Sequence, residues 1–461
     1  MPSVGRSSRR KEGPEKLTGE ARYIDDVPLP GALHGVTLRS KIARGILREI
    51  RFDPSFDWSS VVVATAADIP GENAVLLIEK DQPLLASREI RHLEEPVLVL
   101  GHADRARAYE ALDHVELVCD EKEPVLTMEE AFANGSVFKR FEIVKGDLEA
   151  GFREAEAIVE EEYRVPHQEQ AYIEPNGIAA WEEPDGTLVV MGSMQCPYYV
   201  HKAMLGLFPR APEKIRVIQT ATGGGFGGKE EYPNLIAGHA ALLALKARRP
   251  VKIIYDRAED MRATTKRHPA RIRHRTGVKK DGTMVAQDID VLMDGGAYVT
   301  LSPVVLSRGV LHATGPYECP NVRVVGHVVA THTPPNGAFR GFGAPQTLFA
   351  AEMQVEKIAK RLGLDPLAVR RKNLFREGSV TATGQVLKES VGAREVVDRA
   401  VASSRYRERR ASCERWNRRK SAPSWRGVGV AAVFHGDGFT GSGEAYLQSK
   451  ASVSLLPEGE I

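Results

Sequence analysis

A carboxylate pair stands directly behind a run of glycines in this chain: Gly223-Gly224-Gly225-Phe226-Gly227-Gly228-Lys229-Glu230-Glu231. Glycine destabilises helices and strands alike, so a dense cluster means that backbone must approach something closely. A strand-like run, Ile215 to Ile218, precedes it, and an alanine- and leucine-rich helical stretch, Leu235 to Leu245, follows. Strand, glycine turn, helix is an order that offers backbone N–H groups and a helix N-terminus to an anion. The spacing from Gly223 to Gly228-Lys229 fits the G-x-x-x-x-G-K of a phosphate-binding loop. That loop needs Ser or Thr next, to hold magnesium. Glu230 stands there instead and brings the wrong sign of charge, so nucleoside triphosphate hydrolysis is disfavoured. The bland alternatives are a glycine turn required only by packing and a solvated surface Glu.

A second stretch of this kind is Pro335-Asn336-Gly337-Ala338-Phe339-Arg340-Gly341-Phe342-Gly343-Ala344-Pro345-Gln346. It again mixes glycines with aromatics just ahead of a helix. Arg340 and Phe342 offer a cation and a flat stacking face; the bland reading is a loop with a buried Phe. His312 and His332 lack partners at ligand spacing and read as structural. No local motif argues for a Ser-His-Asp triad.

The elements that must position these residues are legible in outline. Strand-like runs occur at Leu33–Leu38, Val61–Ala64, Pro96–Leu100, Val115–Val118, Ala157–Glu160, Thr187–Met191, Val251–Tyr255 and Ile289–Met293. Asp281-Gly282-Thr283 is a hairpin signal. The periodicity predicts helices over 103–112 and 345–362, with Gly363 as C-cap and Asp365-Pro366 as a restart. Ala451–Leu456 reads as a strand and Pro457-Glu458-Gly459 as a turn, so the chain stops at Ile461 with a hairpin lacking its second arm.

With 461 residues and a formal net charge of +2, two or three domains are expected and a global nucleic-acid role is not suggested. The basic run Arg405 to Lys420 reads as a solvated helix or loop. Four scattered cysteines, Cys119, Cys196, Cys319 and Cys413, form no C-x-x-C pair. They support neither a zinc nor an iron–sulfur site in this chain, nor a disulfide framework, which favours a reducing, cytoplasmic compartment. The polar, basic N-terminus is not a secretory signal, and no apolar run is long enough to span a membrane.

Together these stretches resemble the large, molybdenum-cofactor-binding subunit of the xanthine dehydrogenase/aldehyde oxidase family. The resemblance runs from Leu17 onward: Thr18 to Asp26, Pro30-Gly31 and Leu38-Arg39-Ser40 resemble the opening hammerhead domain, and His167 to Pro175 the start of the first cofactor domain. Gly223 to Glu230 and Ala338 to Gln346 resemble the two best-known family motifs. The resemblance implies an α+β multidomain chain. Its parts are a flexible arm (1–16), a hammerhead-type α/β domain (17–123), a linker with one short helix (124–145), molybdopterin-binding domain 1 (146–380) and an incomplete start of molybdopterin-binding domain 2 (390–461).

Carried over residue by residue, the resemblance implies that the Gln195 amide approaches a molybdenum oxo ligand. Gly225, Phe226, Gly227 and Arg340 would lie in loops beside the cofactor, with no side chain ligating the metal. Glu230 and Arg308 would bind substrate, Arg308 also acting in catalysis. Phe342 and Phe439 would sandwich a purine ring, with Thr440 beside it. Aldehyde-oxidising relatives usually carry apolar residues at 230 and 308, so the pair favours a purine such as xanthine or hypoxanthine. The absence of a cysteine in Arg340-Gly341-Phe342-Gly343 disfavours carbon monoxide oxidation.

The implied reaction is hydroxylation of a ring carbon with water as oxygen source. The general-base Glu and a G-Q-G cofactor motif of the family fall beyond Ile461, so a natural split or a truncation is expected. The C-terminal half of the subunit, an iron–sulfur subunit and an FAD subunit would then be partners, without nucleic acid or membrane. The nucleotide form of the molybdopterin, including the cytosine dinucleotide, stays open. A split nicotinate-type or other N-heteroaromatic or aldehyde dehydrogenase, and a non-catalytic binding subunit, are the alternative readings.

Overall fold

The computed structural model describes residues 4–421, 423–436 and 453–454. Three sheets organise the chain. The largest has seven strands in the order Ile215–Gln219, Leu188–Gly192, Gly177–Glu182, Val251–Ile254, Leu33–Arg39, Pro96–His102, Val62–Thr65. Leu33–Arg39 pairs in parallel with Val251–Ile254, so one sheet takes strands from both early and late sequence. A five-stranded sheet runs Val137–Lys145, Asn321–Val329, Met284–Asp294, Ala270–Val278, Ala157–Val165. A small third sheet joins Glu89–Ile90, Gly45–Phe52 and Val115–Glu121.

The helix Pro233–Ala247 begins two residues after the glycine run and is buried from Pro233 through Ala244. Its apolar residues face all directions because it packs across the seven-stranded sheet on one side and against the helix Pro197–Leu207 on the other. That pattern belongs to a core helix, not an amphipathic surface one. Two further helices, Ser302–His312 and Ala344–Leu362, pack together on the five-stranded sheet. Ala344–Leu362 ends as the sequence predicts: Gly363 caps it with φ of 67°, and Asp365 caps the next helix by accepting from the Leu367 N–H.

Other expectations need correction. The segment 124–145, read as a linker, holds its short helix at Met128–Ala133 but then supplies the edge strand Val137–Lys145, which pairs antiparallel with Asn321–Val329. Half of that strand's side chains are exposed, and an edge strand with one wet face leaves a weak apolar signal. The helix Pro197–Leu207, which walls the candidate site, is not anticipated either. The basic run needs no correction: it lies largely in an exposed helix, Tyr406–Asn417, one of the two forms expected of it. The hairpin expected at 451–461 lies outside the described residues apart from positions 453–454. No helix among the described residues is long and apolar enough to cross a membrane, and all four cysteines are free thiols.

Candidate functional site

The strands Leu188–Gly192 and Ile215–Gln219 are parallel neighbours at one edge of the large sheet, paired from Leu188↔Ile215 to Gly192↔Gln219. Their C-terminal ends emerge side by side, the usual place for ligands in sheets with parallel strands. Gln195 leaves the first strand and the glycine run leaves the second. The Gln195 Oε1 accepts from the Gly227 N–H (2.9 Å) and the Lys229 N–H (3.3 Å), and its own backbone N–H donates to the Lys229 carbonyl (2.7 Å). With the oxygen engaged by two donors, the amide orientation is fixed and its NH₂ remains to donate toward the adjoining cavity.

The glycines make this approach possible. A side chain at Gly225 would overlap the Gln195 carboxamide. At Gly227, φ is +102° and a Cβ would lie 2.6 Å from the Ala338 carbonyl oxygen. The second motif closes on the first through the Arg340 N–H, which donates to the Phe226 carbonyl (2.8 Å). Phe226 and Phe342 both hold positive φ, 52° and 50°. Non-glycine residues adopt that conformation at a cost, and such positions cluster where a binding site needs backbone set in one way.

Between the two loops lies a cavity of about 950 Å³, within the range of small-molecule and cofactor sites. Gln195, Phe226, Gly227, Glu230, Arg308, Arg340 and Phe342 all line it, so residues separated by up to 147 positions in sequence meet at one place. Gly225 sits immediately behind, against Gln195. Phe439 and Thr440 lie outside the described residues. Sequence reasoning missed Ile78, Tyr199, Lys202, Leu301, Val304 and Phe339, which complete the walls. Tyr199 and Lys202 belong to the unanticipated helix, where only their three-residue spacing on one face hints at a shared role.

Burial pushes the Glu230 carboxyl up to about 8, reinforced by the neighbouring Glu231 charge and opposed by Arg308. Burial also lowers the Arg308 guanidinium, with Glu230 opposing. The Arg308 guanidinium sits 6.0 Å from the Phe342 ring centre. A mostly neutral carboxyl, a cation and an aromatic face thus converge on one volume.

The other charged residues of the glycine motif turn inward. Lys229 is fully buried, and its Nζ pairs with Glu174 (2.8 Å) and donates to Ser193 Oγ (3.0 Å). The Tyr172 ring faces the same ammonium at 4.8 Å. Glu174 Oε2 also accepts from the Gly223 N–H (2.7 Å), so the ion pair anchors the start of the loop. This lysine is occupied inside the protein and faces no phosphate. Glu231 Oε1 accepts from the Ala338 N–H (3.1 Å), which ties the second loop to the first; burial raises its carboxyl as well.

The site carries features that a molybdopterin would need: backbone cleared of side chains at Gly225 and Gly227, an oriented amide donor at Gln195 and a cation at Arg340. Among the described residues no group of three or more His, Cys, Asp or Glu side chains is placed to hold a metal ion directly.

The family described as molybdopterin cofactor-binding domain matches residues 130–374, and that of the aldehyde oxidase and xanthine dehydrogenase a/b hammerhead domain matches residues 18–123. The chain is 33% identical over 407 residues to the nicotinate dehydrogenase large molybdopterin subunit of Eubacterium barkeri, covering 86% of this chain and 95% of that one. It is also 30% identical over 455 residues to the xanthine dehydrogenase of Dictyostelium discoideum, covering 98% of this chain and 33% of that protein. The aldehyde oxidoreductase structure from Desulfovibrio gigas superposes with a TM-score of 0.82 at 26% identity, over 90% of this chain and 48% of that one. The chain therefore spans almost all of the first relative's length, about a third of the second's and about half of the third's.

Proposed function

From a chain that belongs to the xanthine dehydrogenase and aldehyde oxidase family, as a molybdopterin-binding subunit, we propose a hydroxylase of N-heteroaromatic rings whose preferred substrate is an oxopurine. The observation that carries this reading is the convergence of Glu230, Arg308 and Phe342 on one cavity beside Gln195. When bound, a molybdenum cofactor supplies the oxygen transfer and accepts the electrons. This chain's residues do the rest. Gln195 donates its amide toward the cofactor side of the cavity. Phe342 offers a face to the ring. Arg308 stabilises negative charge that develops on a ring carbonyl, a role that gains strength in a partly desolvated site. Glu230, protonated near neutral pH, donates to a ring nitrogen and accepts once ionised. Arg340 is placed for an anionic part of the cofactor, of which the cytosine dinucleotide is one form.

The reading assigns the general base and the electron path to other chains: a second molybdopterin-binding chain, an iron–sulfur subunit and an FAD subunit, assembled in the cytoplasm. Its support is the near-complete overlap with a relative named as a large molybdopterin subunit. The test exchanges Glu230→Val and Arg308→Met in the assembled enzyme. Hypoxanthine kcat/KM should fall at least a hundredfold and that for an aromatic aldehyde much less, since one charged contact to a transition state is worth about 3 kcal/mol. Equal losses on both substrates would sink the assignment.

A carboxylate-bearing ring such as nicotinate is the second reading. Among the described residues, Lys202, Arg308 and Arg340 line the cavity against the carboxyl of Glu230, a balance that suits an anionic substrate.

A further inference from the structure

The segment 427–436 passes close to the cavity wall and is pinned at two points. The Ala432 N–H donates to Glu352 Oε2 (3.0 Å). That carboxylate is itself held by Arg370 (2.8 Å) and accepts from the Tyr317 hydroxyl. Four residues on, the Gly436 N–H meets His312 Nε2 at 3.2 Å. His312 Nδ1 lies 2.7 Å from the Arg308 carbonyl oxygen, which can only accept, so Nδ1 carries the proton and Nε2 is the acceptor for Gly436. The ring also lies against Phe434, with centres 4.8 Å apart.

Between these pins stands His435. Its Nδ1 is 2.9 Å from the Gly436 carbonyl oxygen, which again places the proton on Nδ1. Its Nε2 is 3.1 Å from Arg308 Nη1. An arginine only donates, so Nε2 is the acceptor. Both tautomers are thus set by their partners, and both rings address the same arginine: His312 through its backbone, His435 through its guanidinium.

We propose that His435 is a positioning residue for Arg308: the pinned 427–436 segment presents an imidazole Nε2 that holds the guanidinium at the cavity wall near Phe342. A long, flexible side chain otherwise loses rotamer freedom on each substrate encounter, and an acceptor fixed in advance reduces that cost. The consequence is selectivity. Rings bearing a carbonyl depend on Arg308 and therefore on His435, whereas substrates without one do not. This inference rests on Arg308 being a substrate-binding residue.

The test is a double-mutant cycle in the assembled enzyme, with two readouts: hypoxanthine kcat/KM and equilibrium binding of urate, a hydroxylated purine used as a non-reacting probe. His435→Leu should lower kcat/KM and weaken urate three- to tenfold. His435→Gln, whose amide oxygen can reach the same position, should recover most of both. Arg308→Met should lose more, and adding His435→Leu to it should change nothing further, because the effect runs through Arg308. Losses that multiply in the double variant, or a His435→Gln protein as impaired as His435→Leu, overturn the proposal. An Arg308→Met protein that binds urate and turns over hypoxanthine normally overturns the substrate role of Arg308 itself, a distinct outcome.

Discussion

Replacing Glu230 by Gln removes one proton-binding group and little else, since the two side chains are nearly isosteric. In the folded protein burial raises this carboxyl to about 8 from an ordinary 4.5. Between those values the folded protein keeps a proton that the unfolded chain has released. Stability from this group is therefore complete below pH 4.5 and is lost as pH rises through 8. While only the folded form is protonated, the slope is about 1.4 kcal/mol per pH unit. Integrated from pH 6 to pH 8 the loss is about 2 kcal/mol, an upper figure because cavity water screens one side of the group. Gln cannot titrate, so the Glu230→Gln protein should lack that part of the slope. Urea midpoints of both proteins at pH 6, 7 and 8 measure it. The comparison is differential, so the burial of Glu231, whose carboxyl is also raised by it, cancels, and only its coupling to Glu230 remains in the difference. Parallel pH dependences in the two proteins would refute a proton held on Glu230, and with it a neutral donor facing the substrate ring.

Lys229→Met should destabilise the protein by about 3–5 kcal/mol, because Glu174 would stay largely buried without its cation; a thermal melt checks this, and a near-neutral variant would show that the pair anchors nothing. Gly227→Ala forces a Cβ to 2.6 Å from the Ala338 carbonyl at φ of +102°. It should cut the molybdenum content of the purified complex severalfold while leaving circular dichroism unchanged, and undiminished loading would argue that this loop does not meet the cofactor.

Where sequence reading succeeded and where it stopped has a physical pattern. Gly225 and Gly227 are legible because close approach has one chemical solution, the missing side chain, and the residue type reports it directly. The core strands are legible for the same kind of reason: Pro96–His102 is buried along nearly its whole length and reads as an unbroken apolar run. Val137–Lys145 is not legible, since its alternation of half-buried and exposed positions resembles a polar linker until Asn321–Val329 pairs with it. The helix carrying Tyr199 and Lys202 fails similarly, because its buried face is short and a Pro opens it.

The ionic residues show the limit most clearly. Lys229, Glu230 and Glu231 are adjacent in sequence and chemically alike in exposure to a sequence reader, yet they have three separate fates. Lys229 closes a buried ion pair with Glu174, a partner 55 positions away. Glu230 enters the cavity opposite Arg308. Glu231 turns to the Ala338 N–H and binds the two glycine-rich loops together. Local sequence fixes only that three charges follow the turn; which of them meets solvent, ligand or core is decided by strands and helices recruited from elsewhere. The departure from the phosphate-loop pattern is intelligible on the same ground. A lysine drawn inward cannot serve a phosphate, and the carboxylate that follows it is then free to serve a neutral or cation-paired ring. The chemistry of the motif is set less by its spacing than by Glu174, which removes the lysine from the surface and leaves Glu230 as the only one of the three charges that lines the cavity.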